Sequence, residues 1–180
     1  MTLKVETLQV DRSQAHADLD RAMVVDLQER RGPELWGLAR HLGLDESEAD
    51  DALQETLLRL WVAIDRGTAI ERPDAWAFRT LYRICMDRHR WQRRVRMLVE
   101  RIGPASATRH DPDPAAGLAI WDAVERLPER QRVVVYLRYR ADLPFDEIGR
   151  VLGIAPVSAR SHVSRALDKL RASLAPEDFR

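Results

Sequence analysis

Apolar residues in this chain recur every three to four positions in two separate blocks, and nowhere do they alternate in the two-residue rhythm of a half-buried strand. In the first block Leu19, Met23 and Leu27 share one face. Ala49, Leu53, Leu57, Leu60, Trp61 and Ile64 form a second stripe, and Ala77, Leu81, Ile84 and Cys85 a third. In the second block Leu118, Trp121, Val124 and Leu127 make a stripe, followed by Val133, Val134 and Leu137. Between the blocks, 99–117 loses the rhythm in Gly103-Pro104, Asp111-Pro112 and Asp113-Pro114. That stretch reads as a flexible linker spanning at most roughly 65 Å. The expectation is an all-α fold of two small helical domains, 19–98 and 118–174, with tails at 1–18 and 175–180.

Helix signals refine this outline. Gly32-Pro33 is expected to interrupt the first helical stretch, with Pro33 opening a new segment that carries Leu35, Trp36, Leu38, Ala39 and Leu42. Asp45 with Glu48 three residues on predicts a capping box. Asp65-Arg66-Gly67-Thr68 ends that helix, and a long helix follows from about Asp74 into an arginine-rich stretch. Near the C-terminus, Pro144 to Leu152, a turn at Gly153-Ile154, and a helix from Pro156 to about Leu174 form a helix-turn-helix pattern.

The 180 residues contain no apolar run near the ~20 needed to cross a bilayer, and the polar start Met1–Arg12 is unlike a signal peptide. A cytoplasmic protein without membrane insertion is the default. Cys85 is the only cysteine, so it forms no intrachain disulfide or multi-cysteine zinc site and reads as a small buried thiol. The histidines His16, His41, His89, His110 and His162 are scattered, and no phosphate-cradling glycine loop or nucleophile elbow is present. No catalytic residue, metal or cofactor is expected, and the chain does not read as an enzyme.

Net charge is zero, but the charges are segregated. Between His41 and Glu55 they are all acidic: Asp45, Glu46, Glu48, Asp50, Asp51 and Glu55. Between Ala75 and Arg109 nine arginines face only Asp87 and Glu100. This pattern suits two different partners, or two solvated faces. The arginine-rich helix carries Trp76, Thr80, Arg83, Asp87, Arg90 and Arg94 on one face, with Trp91 nearby. Arginine neutralises phosphate while tryptophan stacks on unpaired bases, so a single strand fits that face; core anchoring is the plainer role for each tryptophan alone. In the helix-turn-helix, small Ser158, Ala159 and Ser161 would let the backbone approach a major groove while Arg160 and Arg165 reach bases or phosphates. A protein-binding helix-turn-helix is the other reading.

These residues resemble a family. Ala49-Asp50-Asp51-Ala52-Leu53-Gln54-Glu55-Thr56-Leu57 resembles the "AEDLVQETF" signature of extracytoplasmic-function sigma factors. Trp76 to Asp87 is similar to that family's "WL…IARN…D" helix. Leu127-Pro128-Glu129-Arg130-Gln131-Arg132, with Asp146-Glu147-Ile148 and Val151-Leu152-Gly153-Ile154, resembles "LPERQR…EEIAEVLGIS". The resemblance implies a factor that binds core RNA polymerase and directs it to promoter DNA. It implies that Asp50, Asp51, Gln54 and Glu55 dock on the clamp coiled coil of the largest polymerase subunit. Trp76, Arg79, Arg83 and Arg90, with the Asp65–Pro73 loop, would hold the melted minus-ten strand. Arg160, Ser161, His162 and Arg165 fall on minus-thirty-five duplex positions. The linker would thread core polymerase, and an anti-sigma factor would sequester the protein.

Departures from the pattern are Leu57 for Phe, Arg83 for Asn, Pro144 and Ala155 for Ser or Thr caps, and His162 for Arg. The alternative is a helix-turn-helix regulator working without polymerase, which leaves the acidic helix unexplained. A DNA-processing enzyme would need a catalytic constellation that the sequence does not offer.

Overall fold

The computed structural model describes residues 3–100 and 119–173. Their regular structure is helical throughout: α1 (Leu3–His41), α2 (Glu46–Asp65), α3 (Pro73–Glu100), α4 (Ala119–Glu125), α5 (Glu129–Val135), a π-helical stretch Tyr136–Arg140, α6 (Phe145–Leu152) and α7 (Pro156–Ser173). The all-α expectation holds. The segment expected as a linker begins with the last two residues of α3, and the rest of it lies outside the described residues, as does the expected C-terminal tail.

The expected interruption at Gly32-Pro33 is absent, because α1 runs through Pro33 and starts at Leu3, inside the stretch expected as a tail. Proline removes the donor for the Glu29 carbonyl, a defect costing roughly 3 kcal/mol in a helix interior. Three features offset it. Gly32 has no Cβ to strike the proline ring. Glu29 and Pro33 are exposed, so water reaches the orphaned carbonyl. On either side, fully buried Leu27, Leu35, Leu38 and Ala39 hold the helix against its neighbours.

Helix α2 begins as its sequence requires. Glu48 N–H donates to Asp45 Oδ1 at 2.8 Å, and Asp45 N–H donates back to Glu48 Oε2 at 3.1 Å. Helix α3 opens on Pro73, where a missing N–H costs nothing. Its Asp74 accepts from Arg31 Nε at 2.8 Å and lies 3.4 Å from Arg30. Burial opposes ionisation of Asp74, but the two guanidiniums outweigh it and hold the carboxyl below its usual range.

The core of α1, α2 and α3 contains Leu38, Leu60, Phe78, Leu81 and Ile84, and it continues without a gap into Val133, Leu137, Ile148 and Val163 of the C-terminal helices. Ala123, Val124, Leu127, Val135, Ala166 and Leu170 form a second, smaller core. Cys85 is fully buried in the first, as its apolar setting predicts, and burial pushes its thiol up to about 12.

Candidate nucleic-acid and partner interfaces

Residues 51, 54, 55 and 58 follow the i, i+3, i+4, i+7 spacing that makes one helix face. On α2 they are Asp51, Gln54, Glu55 and Leu58, with Asp50 beside them. Asp50, Asp51 and Gln54 are exposed. Glu55 is half-buried, its Oε1 accepting from Arg59 at 2.6 Å and its Oε2 3.6 Å from Arg88 of α3. Leu58 is 62% exposed, an apolar knob on an acidic face that charge patterning alone does not reveal. The signal was available, since position 58 lies off the stripe that buries Leu57 and Leu60.

Three polar ties fix the rotation of α3 against α2 and the turn before it. Arg88 donates to the Glu48 carbonyl at 2.9 Å, His89 to the Leu42 carbonyl at 2.6 Å, and Gln92 to Glu48 Oε1 at 2.7 Å. The opposite face therefore points outward. It carries exposed Arg83, Arg90 and Arg94, and Trp91 is 64% exposed. Arg90 lies 3.2 Å from Asp87, an exposed pair worth little.

Half-buried Trp76 and Arg79 line a cleft with Ala69, Ile70 and Arg72 of the preceding loop. The structure thus brings Trp76, Arg79 and the loop together, with Arg83 and Arg90 successively farther along the helix. The far wall of the cleft is Glu147 and Arg150 of α6.

The helix-turn-helix depends on two glycines. Gly153 turns the chain with φ 67°, a conformation open to glycine. Gly149 lets α6 lie against the turn: a Cβ there would stand 2.7 Å from the Ile154 carbonyl oxygen. On α7, Ala159, Val163, Ala166 and Leu170 are buried. Arg160 and Arg165 face solvent, and the Arg160 guanidinium stacks 5.1 Å from the Phe145 ring centroid. Ser161 and His162 are half-buried. His162 sits at the edge of the buried face, in a small cleft with Tyr82 of α3 and Arg130 of α5. Among the described residues no cluster of His, Cys, Asp and Glu could hold a metal ion.

Comparison with known proteins matches this arrangement in order. Residues 27–95 match the family described as Sigma-70 region 2, and residues 117–170 match Sigma-70, region 4. The RNA polymerase sigma factor CarQ of Myxococcus xanthus is 31% identical over 152 residues, covering 83% of this chain and 87% of its own length. The ECF RNA polymerase sigma factor SigW of Bacillus subtilis is 27% identical, with 97% of each chain covered. Two solved structures share the fold. CnrH in complex with the cytosolic domain of CnrY has a TM-score of 0.58 at 24% identity, covering 89% of this chain and 92% of that one. The sigma factor RpoE of Bartonella quintana, in complex with the anti-sigma factor NepR, has a TM-score of 0.64 at 23% identity, covering 82% and 95%. With both family regions matched in order and CarQ aligned over most of both chains, the protein belongs to the sigma-70 family as an extracytoplasmic-function RNA polymerase sigma factor, a non-enzymatic protein that directs transcription initiation.

Proposed function

We propose that this sigma factor divides its work among three surfaces. The α2 face of Asp50, Asp51, Gln54 and Glu55, extended by Leu58, docks on core RNA polymerase. The α3 face of Trp76, Arg79, Arg83 and Arg90, with the 66–72 loop, holds the melted minus-ten strand. The start of α7, with Arg160, Ser161, His162 and Arg165, reads the minus-thirty-five duplex. The observation that carries the reading is the set of ties from Arg88, His89 and Gln92, which hold α3 against α2 and the turn before it while the acidic and the basic faces stay exposed. One face suits a basic protein surface, the other suits nucleic acid.

The domain division follows the same lines, with 19–98 and 118–174 as the working units. An anti-sigma partner is part of the proposal, supported by the two structural neighbours, one solved with the anti-sigma factor NepR and the other with the cytosolic domain of CnrY. The site of action is the cytoplasm, where core polymerase is met; no described helix is long and apolar enough to cross a membrane.

The test uses two variants in one transcription assay. Asp51→Arg with Glu55→Arg should weaken capture of core polymerase at moderate salt while leaving a cooperative unfolding transition. Arg83→Ala should bind polymerase normally, form fewer open complexes on duplex promoters, and recover in part on a pre-melted bubble. Normal initiation by Arg83→Ala on duplex templates would show that the strand-holding face is wrongly assigned.

A further inference from the structure

One aromatic ring at the start of α6 stands against two guanidiniums. Phe145 is the first residue of that helix and follows Pro144, whose φ of −68° and ψ of 156° keep the incoming chain extended. The ring is half-buried and packs against the main core, so its position is fixed from below. The Arg138 guanidinium carbon lies 5.5 Å from the ring centroid, and that of Arg160 lies 5.1 Å from it. Both fall within the ~6 Å over which an aromatic face attracts a cation.

The two cations differ in what else holds them. Arg138 belongs to the π-helical stretch, whose wide turn is closed by the Ala141 N–H on the Tyr136 carbonyl at 3.1 Å. From there it donates to the Leu143 carbonyl at 3.2 Å and to Asp142 Oδ1 at 3.4 Å. Its N–H edge is therefore occupied by the protein. Arg160 is exposed, and among the described residues its guanidinium meets no carboxylate or carbonyl.

That difference matters for recognition. An aromatic ring attracts a guanidinium through its face, whereas the five N–H donors lie in the plane of the group, around its edge. A carboxylate in place of the ring would take two of those donors. Phe145 thus orders Arg160 and leaves its edge for a ligand. The neighbours Ser158, Ala159 and Ser161 are too small to confine the side chain. Gly149 and Gly153 set α6 against α7, so a ring on the first helix can aim a side chain on the second.

We propose that Phe145 is a positioning residue for duplex readout. It holds the Arg160 guanidinium with its N–H edge presented to one base pair in the major groove, and it sets selectivity at that pair through Arg160. The proposal rests on the reading of α7 as the helix that enters the minus-thirty-five duplex.

The test lets the full chain select from a randomised duplex DNA library, and sequencing of the bound duplexes gives the preference at each base pair. The duplex that wild type selects then serves as the probe for fluorescence anisotropy. Arg160→Ala should weaken binding and relax the preference at one base pair. Phe145→Leu keeps an apolar side chain on the core but removes the aromatic face. It should relax the same base pair and weaken binding about three- to tenfold, the scale of one cation–π contact with one ordered side chain. Phe145→Tyr and Phe145→Trp should retain affinity and preference. In the Arg160→Ala background, Phe145→Leu should cost under about twofold, because nothing is left to position. Proton NMR of the wild type needs no variant to fold: the Arg160 side-chain protons should keep the ring-current shift of Phe145 in the free chain and on the duplex.

The positioning role is overturned if Phe145→Leu costs as much with Ala at 160 as with Arg, if the base preference survives loss of the ring, or if the ring-current shift vanishes on the duplex. Affinity and preferences left unchanged by both Arg160→Ala and Arg165→Ala overturn the reading of α7 itself. Coupled losses at one base pair, with wild-type behaviour for Phe145→Tyr, support both.

Discussion

Replacing Gly149 by alanine tests how the helix-turn-helix is held. In an ordinary helix interior this change stabilises by about 1 kcal/mol, because glycine has more backbone freedom to lose on folding. At Gly149 the new Cβ would stand 2.7 Å from the Ile154 carbonyl oxygen and 3.4 Å from Pro156 N, both backbone atoms with little freedom to yield. Overpacking of this kind costs about 1–3 kcal/mol. The net expectation is a loss of up to about 2 kcal/mol, and since the modules share a core, a fall in Tm of up to about 6 °C for the whole chain. The same clash loosens the Ile154 N–H bond to the Gly149 carbonyl, now 2.9 Å, and so re-aims α7 relative to α6. Thermal unfolding followed by far-UV circular dichroism measures the first effect, and fluorescence anisotropy on a minus-thirty-five duplex the second. A variant with raised Tm and unchanged duplex binding would refute the reasoning, because the helix-propensity gain would then have gone unopposed.

Three further outcomes follow from local contacts. Asp45→Ala should cost about 1 kcal/mol in chemical denaturation, through loss of the cap that starts α2. Asp74→Asn should destabilise by about 1 kcal/mol at neutral pH. The carboxyl of Asp74 is held below its usual range, so its contribution is present above the unfolded value near 4 and is lost as pH falls through the lower folded value. The two proteins should therefore converge in strongly acidic urea titrations. Burial pushes the Cys85 thiol up to about 12, so at mildly alkaline pH a thiol reagent should label it only as the core opens, with a rate that climbs with denaturant; fast labelling of the native chain would place Cys85 outside the core.

Much of the fold was legible because the relevant physics is local. The capping box at Asp45 and Glu48, the α2 stripe, the α3 core face and the helix-turn-helix all follow from periodicity and short-range hydrogen bonding. Gly32-Pro33 misled because its usual effect is local, whereas the helix survives through buried leucines on both sides, a tertiary effect that a sequence window does not contain. The contacts between the two modules were illegible for the same reason. Tyr136 and Glu34, or Arg72 and Glu147, pair by hydrogen bonds yet are far apart in sequence and carry no motif. The candidate faces came from charge, from tryptophan and from the family's motifs, so Leu58, which carries none of these signals, escaped notice, and Arg72 entered only as part of the 65–73 loop.

The ties that Glu48 and Glu55 make to α3 bear on how members of this family can be recombined. Arg88 and Gln92 reach across to these two acidic residues, so the helix that carries the proposed polymerase face is anchored by the helix that carries the proposed strand face. A chimera that imports α2 alone leaves Arg88 and Gln92 facing unfamiliar side chains and frees α3 to rotate, which would move its DNA contacts without changing one of them. A graft of 45–94 as a block keeps donor and recipient contacts within one source. The natural unit of exchange is therefore the helix pair, and crossovers within it should yield proteins that bind polymerase yet melt promoters poorly.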